Sequence, residues 1–207
     1  MLLLGGPSGV GKTIVARQLG LHLGMSWLQV DDLRLALQWS HVTFPRETAA
    51  LYFFEETPDV WNLPPERLRS GLIAVGEVIS PAIEVVIISH VDTKAPLIIE
   101  GDGILPSLFA RPEVRDRAAG GHVRAVFLVE PEEEILFTNM LARRRGIAER
   151  TENELRTEAC AKWLYGQWLT SEAQRYGLPV LESRPWSTLL ERLMTEIDGF
   201  KVISTSR

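Results

Sequence analysis

One eight-residue stretch near the start of the chain restricts its fold more than any other feature. Gly6-Pro7-Ser8-Gly9-Val10-Gly11-Lys12-Thr13 matches the pattern G-x-x-x-x-G-K-[ST] at every fixed position. The pattern works only where a strand runs into a loop and the loop opens a helix. Its glycines let backbone N–H groups curl inward around phosphate, and the helix N-terminus adds partial positive charge. The flanks meet that demand. Met1–Leu4 is a short apolar run, and Lys12–Leu23 carries Ile14, Val15, Leu19 and Leu23 at helical spacing. The loop residues Gly6, Ser8, Gly9, Val10, Gly11, Lys12 and Thr13 are therefore candidates for holding a nucleotide polyphosphate. Lys12 would reach the β- and γ-phosphates, and the Thr13 hydroxyl would serve Mg2+.

The rest of the chain alternates strand and helix, the pattern of an α/β protein. Strands are expected at 1–4, 27–30, 96–100, 122–129 and 179–181. Helices are expected at 12–23, from 33 to about 40, at 66–91, within 106–119, and at 132–142, 152–176 and 187–197. The strand runs are apolar without alternation, so the sheet should be buried on both faces. We read one P-loop domain over 1–207, with a Pro- and aromatic-rich insertion at about 41–70 and a basic lid at about 143–152. The helix at 66–91 is apolar but carries Glu77, Pro81 and Glu84 near one face. Carboxylates are costly in lipid, so a buried helix with a solvated acidic stripe is expected, bent if anywhere at Pro81.

Composition removes several classes of partner. A net charge of −5 gives no basic footprint for nucleic acid, and no membrane partner is expected. Any anionic acceptor must then be held by local arginines. The single cysteine, Cys160, rules out an internal disulfide and fits a reducing, cytoplasmic setting as a structural thiol. The start of the chain reads as a strand and not as a leader, because it lacks a basic flank. The four histidines are scattered without ligand spacing, so no structural metal site is expected.

In an open parallel sheet, ligands gather beyond the carboxyl ends of the strands. Asp31 and Asp32 end the second strand, and Glu100 ends the third with Asp102 just beyond it. Phosphoryl transfer needs an aligned hydroxyl, a place for its proton, and an anchored metal. Asp31 is the candidate for aligning the hydroxyl and taking its proton. Glu100 is the candidate for Mg2+, together with Thr13, and for contact with the acceptor; Asp31 through water is the alternative for the metal, and Glu100 could instead simply hold a loop through backbone N–H groups. Asp32 reads equally as a helix cap, and Asp102 is ambiguous. Arg34, one turn after Asp31, faces the same acceptor. Arg67 reads as solvated, and Arg69 is an open candidate for the acceptor. Among the lid arginines, Arg144 and Arg150 are expected to point inward, with one of the set explained by the helix dipole. Trp39, Trp61, Tyr52, Phe53 and Phe54 could line an apolar acceptor pocket or simply pack the insertion.

These stretches resemble the nucleoside-monophosphate-kinase-like P-loop kinases, and 2-phosphoglycerate kinase most. Gly5–Thr13, Val30-Asp31-Asp32-Leu33-Arg34 and Leu97-Ile98-Ile99-Glu100-Gly101 carry the likeness. It implies a three-layer fold with a five-stranded parallel sheet ordered 2-3-1-4-5. It also implies a lid after the fourth strand and an Asp-x-x-Arg acceptor site at Asp31 and Arg34. ATP and Mg2+ come with it, as does transfer of the γ-phosphoryl group to a hydroxyl or phosphate of a small molecule. Pro185-Trp186 resembles the loop near adenine, so Trp186 joins the nucleotide candidates. The chain departs from 2-phosphoglycerate kinases at Asp102-Gly103, where an apolar residue and a histidine are usual. Two other readings keep the same loop: an ATP-binding switch without transfer, and a zeta-toxin-like nucleotide-sugar kinase.

Overall fold

The computed structural model describes residues 1–40, 48–143 and 150–197. Its strands are β1 (Leu2–Gly5), β2 (Ser26–Gln29), β3 (Leu97–Gly101), β4 (Arg124–Val129) and β5 (Val180–Glu182). Its helices are α1 (Lys12–Leu23), α2 (Val30–Trp39), α3 (Phe53–Glu56), α4 (Pro65–Asp92), α5 (Pro112–Ala119), α6 (Glu133–Arg143), α7 (Glu152–Arg175) and α8 (Leu189–Glu196). The five strands are all parallel and ordered β2-β3-β1-β4-β5, with helices on both faces. This is the expected three-layer architecture.

Alternation along the strands divides the core between two faces. Leu3, Ile99 and Phe127 point to one face, where Ile79, Ile83 and Ile87 of α4 and Tyr165 and Leu169 of α7 cover them. Leu2, Leu4, Ile98, Val126 and Leu128 point to the other, under Val15 and Leu19 of α1, Leu136 of α6 and Leu193 of α8. Each fully buried leucine or isoleucine contributes about 1.5–3 kcal/mol, so strands of three to six residues suffice.

The acidic pair lies elsewhere than expected. β2 stops at Gln29, which is the N-cap of α2, and Asp31 and Asp32 fall in the first turn of that helix. There they favour the positive end of the helix dipole without capping it. The insertion expected to be irregular contains 3-10 turns at Ala49–Tyr52 and Val60–Asn62 around α3, while 41–47 lie outside the described residues. Pro65 opens α4 at a position that needs no N–H donor, and Thr151 caps α7 reciprocally with Glu154.

By length and composition α4 could cross a membrane. Here it is a core helix, packed against the sheet and α7. Its acidic stripe is only half solvated. Glu77 accepts from Ser107, but Glu84 is largely buried and pairs with Arg111 at 2.6 Å. The solvated reading of Glu84 is thus corrected: α4 is covered along that side by the segment leading into α5. Cys160 is half-buried, and burial together with nearby Glu133 pushes its thiol up, consistent with a structural role.

Candidate active site

The register of the sheet builds the site. Pairing of Leu4 with Glu100 and of Gly5 with Gly101 sets the ends of β1 and β3 side by side, with Gln29 of β2 opposite Glu100. Everything that follows those strands therefore opens into one crevice. Two adjoining cavities of about 500 Å3 and 490 Å3 occupy it.

The loop between β1 and α1 floors the first cavity. Gly6 has φ 140°, and a Cβ there would fall 2.1 Å from the Leu128 carbonyl oxygen. Gly11 has φ 83° and lies directly under the ring of Trp186. Both positions demand glycine, one for contact with β4 and one for the turn into α1. Trp186 is part exposed and lines this cavity with Gly11, Lys12, Thr13 and Ile14, where an aromatic face beside the loop suits a planar base. Asn139 donates to the Gly9 carbonyl at 3.1 Å, and Arg143 donates to the Ser8 hydroxyl, so α6 holds the loop from above.

Lys12 is only 6% exposed. Its ammonium donates to the Pro7 carbonyl and to Asp102 Oδ1, each at 2.9 Å. Burial pushes Asp102 upward, but Lys12, Lys162 and Arg143 outweigh it and hold the carboxyl below its ordinary value. Glu100 behaves in the opposite way. It is 3% exposed and accepts from Thr13 Oγ1 at 2.6 Å. Burial raises it, Lys12 and Thr13 offset part of that, and Asp102 and Asp31 add to the rise. Thr13 and Glu100 offer hard oxygen donors of the kind Mg2+ takes. Among the described residues no three His, Cys, Asp or Glu side chains cluster around a metal position. A magnesium ion here would thus complete its shell with water and phosphate oxygens, as it commonly does.

The second cavity faces α2, α4 and α7. Asp31 and Arg34 line it, with Arg34 Nε 3.6 Å from Asp31 and Arg34 Nη1 2.9 Å from Glu55. Phe54 and Trp61 form an aromatic wall, stacked at 5.6 Å. Of the other aromatics, Phe53 packs against Gly71, Tyr52 reaches the Gln38 carbonyl, and Trp39 is exposed. Arg150 does point inward. Its guanidinium lies 4.0 Å from the Trp61 ring centroid and pairs with Glu158, which also pairs with Lys162. Glu158 is raised by burial, but those two cations prevail and leave it below its usual range. Arg144 lies outside the described residues. Arg69 lines neither cavity, and its Nε is buried without a hydrogen-bond partner.

Ser8, Asp31, Asp102 and Arg143 line both cavities and so mark the seam between them. Arg143 stood among several lid arginines in sequence, and the dipole account of a helix end hid its reach to the loop. Glu158, Lys162 and Asn139 gave no sequence signal, because each acts from a helix face that only packing identifies.

No family model matches the chain, and no curated protein matches it. Solved structures do. A shikimate kinase from Bacteroides thetaiotaomicron aligns at TM-score 0.53 and 15% identity, covering 94% of this chain and 96% of that one. This chain shares its fold. A shikimate kinase from Acinetobacter baumannii, solved with shikimate, aligns at TM-score 0.48 and 16% identity over 95% and 93% of the two chains. A gluconokinase from Sinorhizobium meliloti aligns at 0.47 and 16% over 95% and 90%. The three proteins named here are small-molecule kinases.

Proposed function

We propose that the protein is a P-loop kinase that moves the γ-phosphoryl group of MgATP to a small-molecule acceptor. The observation that supports this best is the seam. A polyphosphate seated on the loop of the first cavity would present its end to Asp31, Asp102 and Arg143, which also face the second cavity. Donor and acceptor would thereby face each other across the seam, and such positioning is most of what phosphoryl transfer asks of a protein.

Gly6 to Thr13 would bind the phosphates through backbone N–H groups, with Trp186 beside the base. Thr13 and Glu100 would hold magnesium, which neutralises charge on the β- and γ-oxygens when bound. Lys12 and Arg143 would stabilise the charge that develops on the transferred group, and Arg144 is a further candidate for that role. Asp31, kept near Arg34, would align the acceptor hydroxyl. Arg150, engaged by Trp61 and Glu158, shapes the acceptor wall in this reading. The motif likeness to 2-phosphoglycerate kinase makes phosphorylated or carboxylated alcohols the first acceptors to try. A cytoplasmic setting, with ATP and Mg2+ abundant, belongs to the same reading.

The test is ADP release from MgATP in the presence of 2-phosphoglycerate, shikimate, gluconate and nucleosides. One acceptor should raise release far above the rate with water, and Asp31→Asn should lower that transfer at least about 100-fold while nucleotide binding stays near wild type. Nucleotide uptake with no acceptor response across the panel would favour the switch reading instead.

A further inference from the structure

We propose that the second cavity takes an uncharged acceptor alcohol with an apolar body. This rests on the kinase reading above and narrows its acceptor, away from the anionic alcohols that the motif likeness suggests. An anion bound away from water needs a cation free to meet it. Among the described residues the acceptor side of the cavity offers Arg34, Arg150 and Lys162, and each is already engaged. Glu158 meets Arg150 through one carboxylate oxygen and Lys162 through the other. The second Nη of Arg150 donates to the Glu154 carbonyl at 3.0 Å, its guanidinium lies over Trp61, and its Nε is buried too deeply to meet a ligand. Arg34 is divided among Gln38, Glu55 and Asp31. Arg143 serves the phosphate loop through Ser8. A carboxylate or phosphate entering this cavity would have to displace Glu55 or Glu158, and the carboxylates of Asp31 and Asp102 on the seam would repel it.

The apolar surface of the cavity supports the same class independently. Leu72, Val75 and Ile79 stand at helical spacing on α4 and line the cavity together. Phe54 and Trp61 stack into a second apolar wall. Such surfaces favour hydrocarbon, which leaves water readily, and offer a carboxylate nothing. The volume of about 490 Å3 lies in the range of sites for small organic molecules. A ring or branched hydrocarbon would rest against α4 and the aromatic wall, with its hydroxyl toward Asp31 on the seam. In the step itself, the acceptor oxygen forms its bond to γ-phosphorus as the bond from phosphorus to the bridging β-oxygen breaks. ADP leaves with the bridging oxygen, and the hydroxyl proton is released to water.

The experiment uses the full chain loaded with magnesium and a non-hydrolysable ATP analogue. Calorimetry reads uptake of the analogue and shows that each sample is folded. Saturation-transfer NMR then measures binding of three matched pairs: benzyl alcohol and para-hydroxymethylbenzoate, shikimate methyl ester and shikimate, uridine and its monophosphate. In the wild type the uncharged member of at least one pair should bind at least about 10-fold more tightly than its anionic partner. Glu55→Gln, a change at a part-exposed side chain, and Glu158→Gln should each free a cation and shrink that ratio at least about 3-fold, through a gain by the anionic member. Trp61→Ala should weaken the uncharged member about 10-fold. Preference for the anionic members, equal binding within every pair, or a ratio that neither glutamate variant changes overturns the proposal. So does a nucleotide-loaded protein that binds no uncharged member. A wild-type protein that takes up no analogue refutes the kinase reading itself, a result separate from all of these.

Discussion

Lys12 and Glu100 are both nearly excluded from water, and each must be stabilised against its own burial. Lys12 meets that cost with Asp102 and the Pro7 carbonyl. Truncating it in Lys12→Ala should abolish magnesium-dependent nucleotide uptake in calorimetry, a loss of about 100-fold or more in affinity for a charge-assisted phosphate contact. Glu100 is less well compensated, and its raised pKa gives the sign of a second effect. A carboxyl whose folded value lies above the unfolded 4.5 contributes stability that is complete below 4.5 and lost as pH rises through the folded value. Glu100→Gln should therefore raise the melting temperature of the nucleotide-free protein at pH 7, by an amount equivalent to about 1 kcal/mol, and the gain should fade in acid. Thr13 can still donate to the new amide oxygen. The same variant should lose magnesium dependence of nucleotide binding, so stability and function move in opposite directions at one residue. An unchanged or lowered melting temperature would remove desolvation as the cause.

At the scale of elements, α7 does work that its sequence does not advertise. It is a core helix through Tyr165 and Leu169, a wall of the acceptor cavity through Glu158 and Lys162, and the support of the Asp102 loop through the Tyr165 hydroxyl. Glu158 links these duties, since it pairs with Arg150, whose guanidinium lies over the Trp61 ring in the cavity wall. Glu158→Ala leaves two cations without their partner in a poorly solvated place, and should cost about 3 kcal/mol in denaturant unfolding. The carboxyl is held below its ordinary value, so its contribution is present above pH 4.5 and lost as pH falls through the folded value. The stability difference between wild type and Glu158→Ala should accordingly shrink in acid. At the other end of the site, Gly11→Val should disrupt the turn into α1 and the seat of Trp186, and a fluorescence titration should show nucleotide affinity collapse with the fold kept. The strain arises from a φ of 83° and from the Trp186 ring, whose nearest atom would stand 2.8 Å from a Cβ there.

Over the whole molecule, the site depends on the carboxyl ends of the strands collecting residues from distant parts of the chain. Thr13 meets Glu100 across 87 positions and Ser8 meets Arg143 across 135. These contacts follow from β1 lying between β3 and β4, a placement stabilised by apolar residues on both faces. Leu3→Ala, which vacates a fully buried position under α4, should cost about 3 kcal/mol and weaken nucleotide binding only in step with the unfolded fraction. A larger binding loss in the folded protein would mean that β1 sets the loop geometry more delicately than its packing implies.

The local parts were legible from the chain itself. The glycine spacing of Gly6 to Lys12 specifies a phosphate loop because few other backbones need those residues there. The boundaries of α1 and the buried nature of β1, β3 and β4 follow from apolar periodicity, whereas the outer strands β2 and β5 stay partly exposed because one side of each has no neighbouring strand. That Asp31 and Arg34 share a face follows from helical pitch, whether or not β2 ends at Gln29. The order of the strands was available only through resemblance to known kinases, and the partner of Lys12 was not available at all. Nothing local to Asp102, Arg143, Glu158 or Arg69 says which way each charge turns. That choice is a balance between desolvation and pairing, and the pairing partners lie many residues away. Periodicity and motif are properties of neighbours in the chain, so sequence decided them; the seam between the two cavities is a property of neighbours in space, and only the packed sheet decided it.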